Sequence, residues 1–181
     1  FIINPNSRAV QNPSAMGNAW FVSNVQKVNS PLEEINALQN FNPRATAVVD
    51  QNIFDGAFAK QLEGFTPTGG TARITQTEFA PNRLVYESNS QAEGLAVFSE
   101  IYYDQGKGWQ AYIDGQPVDH MRANYILRAL KIPAGTHKIE FRFEPNSYFI
   151  GNKISLFFSI LLWLGIVFVV YQELRKREII K

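Results

Sequence analysis

The chain has 181 residues, with 17 Lys+Arg against 16 Asp+Glu and no Cys. That length carries one domain with a real core and is too short for two large ones. The formal charge of +1 excludes nucleic-acid binding by bulk electrostatics, and the lack of Cys excludes a disulfide framework or a thiolate-held zinc or iron–sulfur site.

Residues 1–20 mix Asn, Pro, Ser and Gly and read as turns with short extended pieces. AWFVSNVQKV (19–28) reads as one strand. Ser30-Pro31-Leu32-Glu33 then places an N-cap Ser, a Pro at the first helical position and a Glu at N3, which is a capping box. Leu32, Ile35 and Leu38 follow at helical spacing, so a short helix is expected over 31–39, ended by Asn40–Pro43. ATAVVD (45–50) reads as a strand. Residues 51–70, with Gly56, Gly64, Pro67, Gly69 and Gly70, read as a connector of little regular structure.

From Thr71 the pattern changes to period two. TARITQTEF, RLVYESN, LAVFSEIYY, WQAYID, YILRALKI and HKIEFRFEP are strand-length runs separated by turn residues. Asp114-Gly115 is a two-residue hairpin signal in which both positions need φ > 0, and Pro133-Ala134-Gly135 marks another tight reversal. In the last run Ile139, Phe141 and Phe143 share one face, with Lys138, Glu140 and Arg142 on the other. The expectation is a mainly β fold: a two-layer antiparallel β-sandwich of jelly-roll or Ig-like type, spanning 71–148, with a small α/β portion over 1–70.

Residues 154–171, ISLFFSILLWLGIVFVVY, contain no charge, Pro, Asn or Gln. As a helix they extend about 27 Å, close to the hydrocarbon thickness of a bilayer. A buried core helix would carry some polar face, so a transmembrane helix over 153–174 is expected. Tyr148 and Tyr171 flank it at interfacial positions. Arg175, Lys176, Arg177 and Lys181 make 175–181 a basic tail, against Lys138, Arg142 and Lys153 on the other flank. This bias favours a cytoplasmic C-terminus and an extracytoplasmic sandwich. Residues 1–152 hold 12 Lys+Arg against 14 Asp+Glu, which gives no pull toward anionic lipid. The sequence opens at Phe1 without a signal peptide, so the expectation is a C-terminal piece of a larger membrane protein.

Candidate chemistry is sparse. Glu100, Asp104 and Asp114 could supply a carboxylate pair, but Asp104 and Asp114 lie where turns favour Asp for backbone reasons. His120 and His137 have no metal-ligand spacing, and His137, beside the Gly135 turn, reads as an edge histidine. Neither metal nor cofactor is expected. Flat rings can stack on sugars, so Tyr102, Tyr103 and Trp109 are the candidate glycan contacts; Trp109 reads first as a core residue, and of Tyr102–Tyr103 whichever ring points outward is the better candidate.

Several motifs occur together and in order: NPSAMGNAWFV (12–22), FSEIYYDQGKGWQAYIDGQPV (98–118), YILRALKIPAGTHKIEFRFEP (125–145) and the terminal apolar helix. With them the chain resembles the C-terminal region of YfhO-like bacterial membrane proteins. The resemblance implies a polytopic protein of the bacterial cytoplasmic membrane, closed by an extracytoplasmic sandwich and a last helix. Such proteins are similar to glycosyltransferases that use lipid-linked sugars to decorate the cell envelope. Their catalytic carboxylate lies in an early loop that this sequence does not contain, so no catalytic residue is carried over. Glu100, Tyr103, Trp109, Asp114, Gly115, Arg128, Gly135 and His137 transfer as signature positions alone.

The function expected is that of an accessory sandwich and final helix, with the chain alone not an enzyme. Its expected partners are the bilayer, the N-terminal membrane portion of the same protein, and an envelope glycan or lipid-linked sugar; nucleic acid is not among them. The alternatives are a membrane-tethered carbohydrate-binding module and a structural module that contacts proteins without binding sugar.

Overall fold

A computed structural model describes residues 2–3, 9–10, 12, 14–53, 60–67, 71–103 and 108–179. Asp104, one of the candidate carboxylates, lies outside the described residues. Two short strands, β1 (Ile2–Ile3) and β2 (Ala9–Val10), pair with each other. The run 19–28, expected as one strand, is two: β3 (Ala19–Val22) and β4 (Asn24–Val28), which join different sheets. The break falls at Ser23, where both Ser23 and Asn24 N–H groups donate to the Ala45 carbonyl at 2.9 Å. Helix α1 (Pro31–Ala37) begins at its N-cap Ser30, with the return bond of the capping box shifted one residue upstream to Asn29. The Ser30 hydroxyl accepts from the Glu33 N–H, and the Glu33 carboxylate accepts from the Asn29 N–H at 2.8 Å. A single 3-10 turn, Leu38–Asn40, extends it. Strand β5 (Thr46–Asp50) returns parallel to β4, closing a small β–α–β unit.

The remaining strands are antiparallel: β6 (Ala72–Ala80), β7 (Arg83–Ser90), β8 (Gly94–Ile101), β9 (Trp109–Ile113), β10 (Gln116–Val118), β11 (Met121–Ala123), β12 (Leu127–Ile132) and β13 (Gly135–Phe143). They form a five-stranded sheet, β10-β9-β13-β7-β6, and a four-stranded sheet, β11-β12-β8-β3. Strands β10 and β11 are too short to show a period in sequence. The chain is thus a β-sandwich with one strand, β3, drawn from before residue 71.

Side chains of both sheets meet in one core, where Leu84, Tyr86, Ile139 and Phe141 face Ala96, Phe98, Leu130 and Ile132. Tyr86, Phe98 and Phe141 pack edge-to-face, with centroids 4.9–6.2 Å apart, the arrangement that aromatic quadrupoles favour. The outer face of the four-stranded sheet is buried too. Leu95, Val97 and Ala129 pack there against Ala47, Val49 and Leu62 of the β–α–β layer and the segment after it. Burial on both faces explains why Leu95, Ala96, Val97 and Phe98 form an unbroken apolar run. Within 51–70, read as a connector of little regular structure, Leu62 is fully buried and ties the segment to this core.

Two faces depart from their periodicity. On α1 the apolar Leu32 and Ile35 are exposed while Glu34 is buried. On β13 Phe143 is exposed, and Glu140, on the supposedly wet face, is buried between Arg83 and Arg142. Last comes helix α2 (Asn146–Ile179), 34 residues and about 51 Å long. Its stretch Asn146–Lys176 is long and apolar enough to cross a membrane, and its most apolar window has no buried residue. Trp163 is 66% exposed, so the helix stands clear of the sandwich.

Candidate functional site

The signature positions separate to the two ends of the sandwich. β13 runs from Gly135 at one end to Phe143 at the other, three residues before α2 begins. Trp109 pairs with Phe143, so β9 starts at the helix-proximal end. Asp114, five residues on, lies about 17 Å away along the strand. Glu100, at the end of β8, and Asp114 therefore do not form a catalytic carboxylate pair.

At the helix-proximal end, β8 delivers Glu100 and then the Tyr102–Tyr103 pair. Neighbouring residues point apart: Tyr102 is half-buried against the core with its ring 5.1 Å from that of His120, while Tyr103 is 56% exposed. Trp109 is half-buried, with its ring 5.5 Å from Phe143. A Cβ at Gly108 would lie 2.9 Å from the Phe143 ring, so any side chain there would displace that ring. Buried His120 closes the side of the cluster, with Nε2 3.3 Å from the Tyr103 carbonyl oxygen.

Arg128 on β12 reaches the centre of this cluster and is only 2% exposed. Its Nε donates to the Ile101 carbonyl at 2.8 Å. Its guanidinium lies 4.3 Å from the Trp109 ring centre and 5.2 Å from that of Phe141, cation–π contacts that offset part of its lost hydration. Among the described residues Nη1 has no hydrogen-bond partner. Burial pulls the guanidinium pKa down to about 10, against the opposing pull of Glu100 and Tyr86. Tyr86 is pushed up to about 12, first by burial and then by the negative charge of Glu100.

The opposite end holds a clasp between two turns. Asp114 (φ 50) and Gly115 (φ 82) form the β9–β10 turn with the positive angles that an Asp-Gly hairpin needs. The Asp114 carboxylate accepts from the Lys138 N–H at 2.9 Å and sits 2.7 Å from His137 Nδ1. His137 Nε2 is 3.1 Å from the Ala134 carbonyl, in the turn that Gly135 (φ 119) completes. Carboxylate and carbonyl can only accept, so this geometry favours the protonated imidazole, in which both ring nitrogens donate. The Asp114 hydrogen bond, then Ala134, raises the His137 pKa, and the same bond lowers that of Asp114. His137 is thus a fastener between hairpins.

A third polar cluster carries no signal in the sequence. The buried Glu34 carboxylate accepts from Arg122 Nη2 at 2.6 Å and from the Tyr125 N–H at 2.8 Å. Burial raises its pKa, while the Tyr125 N–H and Arg122 lower it. Tyr125 (φ 71) and Asn124 (φ 50) form the β11–β12 turn, whose Asn124 side chain accepts from the Val48 N–H at 2.9 Å. These contacts dock the β–α–β layer onto the sandwich. Their partners lie 76 to 91 residues apart, beyond any local motif.

Among the described residues, no three His, Asp or Glu side chains gather as a metal site would require. What the helix-proximal cluster offers is an aromatic surface with one outward tyrosine, suited to stacking. No curated protein and no solved structure matches the chain. A family model, that of the bacterial membrane protein YfhO, matches residues 6–155, which take in both sheets, the β–α–β layer and the first turns of α2. With most of its length covered, the chain belongs to the YfhO family of bacterial membrane proteins.

Proposed function

We propose that this chain is the accessory sandwich and last membrane helix of a polytopic envelope protein of glycosyltransferase type. In this reading the sandwich lies on the extracytoplasmic side of the cytoplasmic membrane and positions a glycan acceptor or lipid-linked sugar, while the catalytic carboxylate belongs to an earlier part of the same protein. One observation carries it: the exposed Tyr103, beside Trp109 and Phe143, stands at the end of the sandwich from which the apolar helix departs. A sugar stacked there would be held near the bilayer, where a lipid-linked donor resides. The division is then 1–70 as an α/β portion that also lends β3 to the sandwich, 71–148 as the rest of the sandwich, 153–174 as the span and 175–181 as a basic tail.

The test compares Tyr103→Ala with Tyr102→Ala in the full parent protein. Loss of one stacking contact should weaken acceptor binding by up to about tenfold for Tyr103→Ala, with sugar transfer falling in step. Sugar transfer by the 181-residue chain alone would overturn the accessory role. The exposure of Tyr103 also supports a second reading, a membrane-tethered carbohydrate-binding module. Glycan binding by the chain alone, lost in Tyr103→Ala, would favour that reading. Indifference of both binding and transfer to Tyr103→Ala would leave a purely structural module.

A further inference from the structure

Of the seven large hydrophobic side chains exposed outside α2 among the described residues, five gather at one end of the sandwich: Phe79, Ile101, Tyr103, Ile126 and Phe143. Register and hydrogen bonds put them together. Phe79 pairs with Leu84 beside the β6–β7 turn, and the Phe143 N–H donates to the Asn82 carbonyl in that turn at 2.9 Å. The Tyr102 N–H donates to the Ile126 carbonyl at 2.7 Å, bringing Ile101 and Ile126 side by side. The other two exposed residues, Leu32 and Ile35, flank Glu34, which binds the turn next to Ile126. The far end of the sandwich presents Asn89, Gln91, Asp114 and Lys138 instead. A monomeric soluble protein seldom gathers its exposed apolar residues so unevenly.

What covers this rim follows from the chain's own course. Helix α2 starts three residues after Phe143. Residues 146–153 contribute about 12 Å of helix before the uncharged segment. The polar layer of a bilayer is about 5–8 Å deep on each side, so an upright helix would hold the rim a few ångströms above it, and an ordinary helix tilt of about 20° brings one side of the rim down to it. We propose that the rim formed by Phe79, Ile101, Ile126 and Phe143 rests in the headgroup layer of the membrane that α2 crosses. The sandwich then has a second, peripheral attachment besides its covalent one. Arg83, near the rim, is paired with both Glu78 and Glu140, so it offers no free cation to anionic lipid and apolar burial makes the contact. Phosphatidylcholine, zwitterionic with no net charge, should therefore suffice.

The chain contains no Cys, so single cysteines can report without background. Nitroxide labels are placed on Phe79→Cys, Ile126→Cys and, at the far end, Gln91→Cys in the full chain reconstituted into phosphatidylcholine nanodiscs. Collisions with a water-soluble nickel chelate should be severalfold fewer at 79 and 126 than at 91, collisions with dissolved oxygen more frequent, and both insensitive to salt. Equal access of the chelate at all three positions overturns the proposal. So does shielding that arises only in nanodiscs holding two copies, which assigns the rim to a second chain.

Discussion

The Asp114–His137 contact gives the sandwich a pH response whose sign the geometry sets. The folded His137 pKa lies above its ordinary 6.5, so its contribution is complete below 6.5 and is lost as the pH rises through the raised value. The folded Asp114 pKa lies below 3.8, so its contribution is present above 3.8 and lost as the pH falls through the lowered value. The clasp is therefore strongest between these limits. The melting temperature of His137→Gln should lie furthest below that of the parent near pH 5 and converge on it above neutrality. Since half of Asp114 is exposed, the effect is small. A difference that stays constant with pH would show that the clasp is not ionic. The clasp also accounts physically for two signature motifs occurring together: the Asp of Y-x-D-G binds the His of P-A-G-x-H.

At the scale of elements, α1 is the instructive case. Its capping box and apolar spacing locate a helix correctly, yet the helix turns its Leu32 and Ile35 outward and buries Glu34. A stripe at helical spacing reports that some face will be covered; it does not report that the covering happens within the sandwich. Glu34 holds the layer instead. Glu34→Ala would strip Arg122 and the Tyr125 N–H of their shared acceptor and should cost about 3 kcal/mol in urea denaturation. Glu34→Gln keeps an acceptor for Tyr125 and should cost about half as much, in line with a single charge-assisted bond. Equal costs for the two substitutions would mean that side-chain volume rather than hydrogen bonding docks the layer. The split of 19–28 at Ser23 has a similar cause. Its two halves are each good strands, and only the partners, β8 for one and β5 for the other, send them to different layers.

For the whole molecule, the combination of sandwich, apolar rim and exposed helix makes topology the quantity to measure. Under the proposed orientation, with the C-terminus cytoplasmic, Gln91→Cys in intact cells should react with a membrane-impermeant maleimide, and Lys176→Cys should react only after the cells are opened. The reverse pattern would invert the orientation and remove the sandwich from the envelope side. The same whole-molecule view separates the signature residues into two sets. Asp114, Gly115, Gly135 and His137 fasten the far hairpins, whereas Glu100, Tyr103, Trp109 and Arg128 line the end that faces the membrane helix.

Sequence alone was enough to establish the helix built on the uncharged stretch 154–171, the six longer strands of the sandwich and the Asp114-Gly115 hairpin. Each is written in the covalent neighbourhood of its own residues: an unbroken apolar stretch, a two-residue alternation, a pair tolerant of positive φ. The burial of Arg128 against Trp109, the docking through Glu34, and the gathering of Phe79, Ile101, Ile126 and Phe143 were decided by tertiary structure. Those neighbours come from strand order and register across distant parts of the chain, and a side chain's local pattern carries no information about which distant segment will face it.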